Sequence, residues 1–472
     1  MAKVIFLQNI WHEYLGVMQL SAVLKANGHE CDVLLGSKEE IIRELKKAKP
    51  DLIAFSAMVI QQDWVLDMAA MVKRARIKAP IIIGGPHPTF YPDFLKEKPI
   101  DMICIGEGEY ALLDLANAID KGKDYTKIKN LWVKKNGKIY KNELRPLIQN
   151  LDELPFPDRK LYKKYDFFRK QESDDFMISR GCPFRCSFCF NHKWCQIYAK
   201  GGSTIRFRSV ENCIREIKEL NKKRKVKMVM FIDSTFNIRK DWLMKFLKRY
   251  KKEVKIPFSC NIRADLLDEP MTKALKDTGC CDSIRFAIEV GDEKLRNTVL
   301  RKNLTDKQIL TAAKLLKKYK LPIITFNMFG LPDETLEQAW KTIYMNRKVR
   351  PEVVSCYVFL PFPGLEITDY AIKKGYVRRE DLKKLGVSPY KIHRSIINQK
   401  DIGPVTNLHK FSIVLVKYPQ FEPIIRQLIK LPPNILFDYF YNITQVVGWM
   451  RWMRASPARM VVEILKNYKE VR

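Results

Sequence analysis

No stretch of the 472 residues reaches the roughly 18 uninterrupted apolar residues that a membrane-spanning helix needs. The N-terminus also lacks the apolar core of a secretion signal, because Met-Ala-Lys-Val-Ile-Phe-Leu is followed at once by Gln8 and Asn9. Both absences predict a cytoplasmic, reducing compartment. There, 11 cysteines serve better as metal or cluster ligands than as disulfides. Internal repeats and low-complexity tracts are missing too. Acid is scarce: 53 Asp+Glu stand against 85 Lys+Arg, a formal net charge of +32. That excess fits nucleic acid, an anionic membrane surface or an anionic substrate, and a generally solvated basic surface gives the same number. With 46% hydrophobic and 29% charged residues the chain is globular rather than disordered. Its length suits about three domains.

The first 120 residues alternate short apolar runs with helical spacing. Strands are predicted at Val4–Leu7, Cys31–Leu35, Leu52–Phe55, Ile81–Ile83 and Met102–Ile105, and helices over 15–26, 39–48 and 64–75. This pattern predicts an α/β fold beginning with a parallel, doubly wound, Rossmann-like (flavodoxin-like) sheet over 1–125, with its ligand at the carboxyl ends of the strands. Residues 126–175 read as a connector holding a hairpin around Asn136-Gly137 and an ordered Leu-Pro-Phe-Pro-Asp stretch at 154–158. A second βα series follows over 176–374. Its strands are predicted at Phe176–Ser179, Met228–Ile232, Phe258–Asn261, Ser283–Ile288, Ile323–Met328 and Val353–Phe359, a partial (β/α)6 barrel of the TIM type. Residues 375–472 read as mostly helical.

The chemistry concentrates at residues 180–191, Arg-Gly-Cys-Pro-Phe-Arg-Cys-Ser-Phe-Cys-Phe-Asn. Cys182, Cys186 and Cys189 are spaced C-x3-C-x2-C, so three thiolates can take three corners of a [4Fe–4S] cluster and leave one iron open. A zinc site completed by Cys195 or His192 is the alternative. It fits poorly, since zinc modules usually pair a C-x2-C with a second, distant pair.

This segment resembles the signature of the radical S-adenosylmethionine (SAM) superfamily. The resemblance implies that SAM chelates the open iron, with Phe188 beside its adenine, and that its reductive cleavage yields a 5′-deoxyadenosyl radical. Further segments are similar in order and spacing. They are Asp233-Ser-Thr-Phe-Asn near the SAM amino group, Arg263 in Cys260-Asn-Ile-Arg-Ala-Asp, and Glu289 in Phe286-Ala-Ile-Glu-Val-Gly near the ribose. Asn327 and Gly330 follow in Asn-Met-Phe-Gly-Leu-Pro-Asp-Glu-Thr, and Pro361-Phe-Pro-Gly-Leu-Glu comes last. Ser234 and Ala287 depart from the family's pattern.

The loops of the first sheet resemble a cobalamin-binding domain: Ser56-Ala-Met after one strand, Gly84-Gly85-Pro-His87 after the next, and Gly106-Glu107-Gly108-Glu after the last. Cobalamin domains with a histidine axial ligand carry D-x-H-x-x-G after the first strand. Here Trp11, Glu13 and Gly16 take the Asp, His and Gly places, and His12 is one residue out of register. The expectation is cobalamin bound without its lower base and without a histidine ligand.

The implied activity is C-methylation of an unactivated carbon in a hydrophobic or lipid-like small molecule, using the cluster, SAM and cobalamin. Cobalamin-dependent radical cyclisation or rearrangement, of tetrapyrrole or isoprenoid type, is the alternative. An electron donor such as flavodoxin or ferredoxin is implied as a partner. RNA modification is prompted by the charge, but methylthiolating relatives carry three more cluster cysteines early in the chain and a terminal β-barrel. This chain has only Cys31 and Cys104 before residue 182. Cys195 and Cys356 read as structural thiols. The apolar stretch Leu431–Met450, with Trp449, Arg451, Trp452 and Arg454 at its end, suits either a helical cap over the barrel mouth or peripheral membrane contact.

Overall fold

A computed structural model of the chain describes residues 1–199, 202–385 and 395–453. The first sheet has seven strands: β1 (Lys3–Leu7), β2 (Glu30–Leu34), β3 (Leu52–Ser56), β4 (Ile81–Gly84), β5 (Met102–Cys104), β6 (Leu131–Lys135) and β7 (Lys138–Lys141). Their order is β2-β1-β3-β4-β5-β6-β7. The first five are parallel, and β6 and β7 join antiparallel at the edge. The Asn136-Gly137 hairpin in the connector is therefore part of this sheet.

Ile81, Ile82 and Ile83 are buried in a row because helices cover both faces of the sheet. Helices Leu15–Ala26 and Glu109–Asp120 pack on one face through Leu24 and Leu115, and Lys38–Ala48 and Gln62–Arg74 pack on the other through Leu45 and Met68. Helix Lys38–Ala48 starts in a capping box between Ser37 and Glu40, which satisfies two otherwise free backbone donors.

The second sheet is an open half-barrel of six parallel strands. They are β8 (Ser173–Phe176), β11 (Met228–Phe231), β12 (Phe258–Ile262), β13 (Cys281–Glu289), β14 (Ile323–Phe329) and β15 (Val353–Val358), in spatial order β15-β14-β13-β12-β11-β8. Between β8 and β11 lies a two-strand ribbon, β9 (Ser179–Arg180) against β10 (Arg206–Phe207). The strand expected over 176–179 is thus two pieces. The backbone N–H groups of Ile178 and Ser179 donate to the Asp233 carboxylate rather than to a neighbouring strand, and the chain turns there.

Alternation sorts the half-barrel's side chains. Phe258, Cys260 and Ile262 on β12, with Ile284, Phe286 and Ile288 on β13, pack in the core beneath the helices. The intervening Asn261, Arg285 and Ala287 face the open side.

The C-terminal region is helical, with segments Ile402–Lys417, Glu422–Leu428 and Ile435–Met453. The first packs on the outer face of β14 and β15 through Leu408 and Leu415, against Phe329, Val354 and Cys356, while Ile397 and Ile402 join Leu331 and Phe359 at the strand ends. The carbonyl of Cys356 accepts from His409 Nε2 at 3.1 Å, Tyr441 Oη at 2.5 Å and Gln445 Nε2 at 3.5 Å. Among the described residues no helix is long and apolar enough to cross a membrane. Arg454 lies outside the described residues, as do the side chains of Trp449, Arg451 and Trp452.

Candidate active site

The three-cysteine loop leaves β9 and enters helix Phe190–Ile197, with Cys189 at the helix N-cap. Gly181 begins it at φ +92°, and a Cβ there would overlap the Thr204 carbonyl. The loop is pinned from behind: Ser187 N–H donates to Leu300 O at 3.0 Å and Ser187 Oγ to Val299 O at 2.6 Å. Cys182 and Cys186 are buried and Cys189 is half-buried. Asn191 Nδ2 donates to Cys189 Sγ at 3.6 Å.

Burial pushes the Cys186 thiol up to about 11, with the Lys302 ammonium as the chief opposing influence. Burial also raises Cys189, against hydrogen bonding from Asn191. Both candidate fourth ligands of the zinc alternative have partners of their own, and Cys195 Sγ also lies 3.6 Å from the Cys182 carbonyl. Cys195 Sγ lies 3.2 Å from Thr204 Oγ1, and His192 Nε2 lies 3.1 Å from Glu366 Oε1. Among the described residues no three His, Cys, Asp or Glu side chains close up as ligands of one metal ion. Three thiols in one pinned loop, spaced C-x3-C-x2-C, fit a cluster that keeps one iron open.

Several residues expected at SAM form the walls around this loop. Asp233 is fully buried, and its carboxylate accepts from Ser179 N at 2.7 Å, Ser179 Oγ at 2.6 Å and Ile178 N at 3.1 Å. Burial nevertheless raises its pKa to about 6. Arg263 stacks on Phe184 of the cysteine loop, with 3.6 Å from its guanidinium carbon to the ring centroid, and pairs with Asp265 at 2.7 Å. Glu289 sits at φ +67°, where the β13–β14 register shifts, and accepts from Lys302 Nζ at 2.7 Å. A non-glycine residue held in the left-handed region at a strand end is a common mark of a functional site. The Lys302 ammonium also lies 6.0 Å from the centroid of Phe188.

Asn327 does not reach the site. Its side chain points to the helix layer, where Asn346 Nδ2 donates to its Oδ1 at 2.8 Å. Gly330 shapes the following turn, and its N–H donates to Glu334 Oε2 at 2.5 Å.

A cavity of about 780 Å³ runs from the glycine turns of the first sheet to Phe188 and Cys189. Ser56, Gly84, Gly85, Glu107 and Gly108 line one side, and the connector's Leu154, Pro155, Phe156 and Pro157 line another. Gly85, at φ +91°, lets the chain pass so close to β3 that a Cβ would meet Ala57 N at 2.9 Å. This bare backbone cradle suits a large flat ligand. Phe90, Phe190 and Phe362 stack beside it, joining the first domain, the cysteine helix and the late Pro-rich turn, with centroids 4.5 and 6.0 Å apart.

His87 is not in the cradle. Its ring turns into the core against Phe94, 4.4 Å between centroids, and burial lowers its pKa to about 4. His12 pairs with Asp175 at 3.3 Å. Glu107 lines the cavity and is also a bridge: its Oε1 accepts from Arg180 at 2.7 Å and from Arg206 at 2.8 Å. Lys302, Arg180 and Arg206 hold the walls of the candidate site, and sequence reasoning missed them. Each reads there as an ordinary member of a solvated basic surface.

Residues 176–344 match the family model of the radical SAM superfamily, and residues 7–116 that of the B12 binding domain. An uncharacterized methyltransferase of Pyrococcus horikoshii is 31% identical over 369 residues, covering 76% of this chain and 78% of that protein. The anaerobic magnesium-protoporphyrin IX monomethyl ester cyclase of Rubrivivax gelatinosus is 26% identical over 371 residues, covering 74% and 64%. Among solved structures, the cobalamin-dependent SAM radical enzyme OxsB, with aqua-cobalamin and SAM bound, superposes with a TM-score of 0.67 at 17% identity over 96% of this chain and 72% of its own. The radical SAM methyltransferase TsrM of Kitasatospora setae, with cobalamin and a [4Fe–4S] cluster bound, gives 0.64 at 15% identity over 90% and 99%.

Proposed function

The chain belongs to the cobalamin-binding radical SAM enzymes, and from that premise we propose that it methylates an unactivated carbon of a hydrophobic small molecule. The observation that carries this reading is the single cavity reaching from the glycine cradle to Phe188 and Cys189. When bound, the cluster with SAM supplies a hydrogen-abstracting radical, and cobalamin supplies a methyl group to the carbon so exposed.

The chain's own residues then have separable tasks. Cys182, Cys186 and Cys189 hold the cluster. Ser56, Gly84, Gly85 and Gly108 present backbone to the corrin. Phe188 and Glu289 face SAM, and Arg263 and Asp233 fix the loop that presents them. The aromatic stack of Phe90, Phe190 and Phe362 keeps water from the space between the cofactors. Ile232 and Tyr357, exposed on the open side of the half-barrel, offer apolar surface to the substrate. The similarity to a magnesium-protoporphyrin cyclase favours a second reading, radical cyclisation of a tetrapyrrole. The helical C-terminus among the described residues does not resemble the β-barrel of RNA methylthiolating enzymes.

Two partners belong to this reading. Arg301, Arg185 and Lys193 lie near His192 beside the cysteine loop, with Glu366 paired to Arg301 and His192 among them. They suit an acidic electron donor of the flavodoxin or ferredoxin class. Leu436, 73% exposed, together with Ile435, Tyr439 and Ile443, gives the last helix an apolar outer face that suits an anionic membrane surface.

The test is anaerobic reconstitution with iron, sulfide and hydroxocobalamin, then incubation with reductant and methyl-labelled SAM. About four irons and one corrinoid per chain, with label transferred to an apolar acceptor in a lipid extract, is the expected result. Iron without corrinoid removes the methyl donor, and deoxyadenosine formation without label transfer favours cyclisation. Failure to float with anionic liposomes at low salt removes the membrane.

A further inference from the structure

We infer that Arg180 is a positioning residue that ties cobalamin occupancy to the geometry of the cysteine loop, so that SAM binds more tightly once cobalamin is in place. The inference rests on the cofactor assignment above and adds a coupling between the two cofactors.

The geometry is a short chain of contacts with little slack. Arg180 stands two residues before Cys182. Its guanidinium reaches into the first domain, with one arm donating to Glu107 Oε1 at 2.7 Å and the other to Glu109 Oε1 at 2.6 Å. Glu107 lies in the turn after β5 and Glu109 opens the helix that follows, and both line the cofactor cavity with Gly108. Arg206, paired with Arg180 across the β9–β10 ribbon, donates to the same Glu107 oxygen at 2.8 Å and to Ile148 O at 2.8 Å.

The side chains of all four charged residues are largely buried, from 3% exposed at Arg206 to 19% at Arg180. Buried charges that lose their partners are costly, so the turn and the ribbon move together. A two-armed guanidinium spans two carboxylates in a way that a lysine cannot. The ribbon is held at its other end by Asp233, bonded to Ser179. Beyond Arg180, Gly181 is packed against Thr204 with no room for a side chain, so displacement of Arg180 passes to Cys182. A corrinoid held in the cradle would lie against the turn that holds Arg180, and by linkage SAM and cluster state would act back on cobalamin.

The experiment measures the affinity of a non-cleavable SAM analogue, and the electron paramagnetic resonance of the reduced cluster, in cobalamin-free and cobalamin-loaded full-length protein. The wild type is expected to bind the analogue about fivefold or more tightly when loaded, with a changed cluster spectrum. Arg180→Met is expected to hold iron and cobalamin but to bring that factor close to one. Arg180→Lys, reaching one glutamate, is expected to restore part of it. A loaded wild type with unchanged analogue affinity overturns the inference, and so does an Arg180→Met protein that keeps the full factor. Should Arg180→Met fail to hold its cluster, Glu109→Gln leaves the Glu107 arm in place. A reduced factor with full iron then supports the coupling, and an unchanged factor overturns it. Absence of cobalamin binding in the wild type counts against the proposed function itself, whereas binding without coupling counts against this inference alone.

Discussion

The guanidinium carbon of Arg263 lies over the ring of Phe184, 3.6 Å from its centroid, and so fastens the end of β12 to the middle of the cysteine loop. Phe184 stands between Cys182 and Cys186, so this stack fixes where the loop's sulfurs point. Stacks of this kind contribute about 0.5–2 kcal/mol. Arg263→Ala is expected to lower the melting temperature and to lose iron on desalting. Arg263→Lys keeps the charge but loses the planar stack, and is expected to fall close to the alanine variant. Iron content after gel filtration decides it, and wild-type retention in both variants would show the stack to be dispensable.

Cysteine substitutions separate the cluster from zinc. Alanine at Cys182, Cys186 or Cys189 is expected to abolish the brown chromophore and deoxyadenosine formation. Alanine at Cys195, whose thiol meets Thr204, is expected to leave both intact. A Cys195→Ala protein that loses its metal would restore the zinc alternative.

Lys302 and Glu289 form a pair with about a tenth of each side chain exposed. Removing one partner leaves a buried charge alone, a cost of about 3–5 kcal/mol. Lys302→Met is therefore expected to unfold at clearly lower temperature and to bind SAM weakly, as calorimetry and equilibrium dialysis would show. Pairing Lys302→Met with Glu289→Gln removes the orphaned charge and is expected to recover most of the stability but not the SAM affinity.

Glu334 carries a pH signature. Its Oε2 accepts from Gly330 N and Leu331 N, its Oε1 has no partner among the described residues, and burial raises its pKa from 4.5 to about 8. Between those two values the folded protein holds a proton that the unfolded chain releases. The site's stabilising contribution is therefore full below pH 4.5 and is lost as pH rises through 8. Glu334→Gln cannot ionise, so its stability is expected to fall less than the wild type's over this range. Denaturant midpoints at several pH values test the sign, and parallel profiles would refute it.

Both sheets are legible in the sequence because their strands are short apolar runs with turn residues after them. Ile81-Ile82-Ile83 before Gly84 and Ile323–Phe329 before Gly330 are plain instances. The cysteines are legible because their spacing is itself the ligand geometry. The individual contacts are harder to read. Asp233 and Asn327 stand in family-like segments, yet one bonds the backbone at residues 178–179 and the other bonds Asn346 on a helix. Side-chain direction depends on strand register and on bulges such as that at Ala287–Glu289, which no local pattern records. Arg180 and Lys302 stayed hidden because their partners lie 73 and 13 residues away, and a basic residue in a lysine-rich chain carries no mark of burial.

An open half-barrel, unlike a closed barrel, has two ends where strands run out of neighbours. At one of them the Cys356 carbonyl is occupied by three side chains from the C-terminal helices, which form a lateral stopper on β15. A chain ending before residue 402 would leave β15 as a bare ribbon, open to addition of a strand from another molecule. The last helices thus bear on whether the protein stays monodisperse, independently of anything they do for a membrane or a substrate.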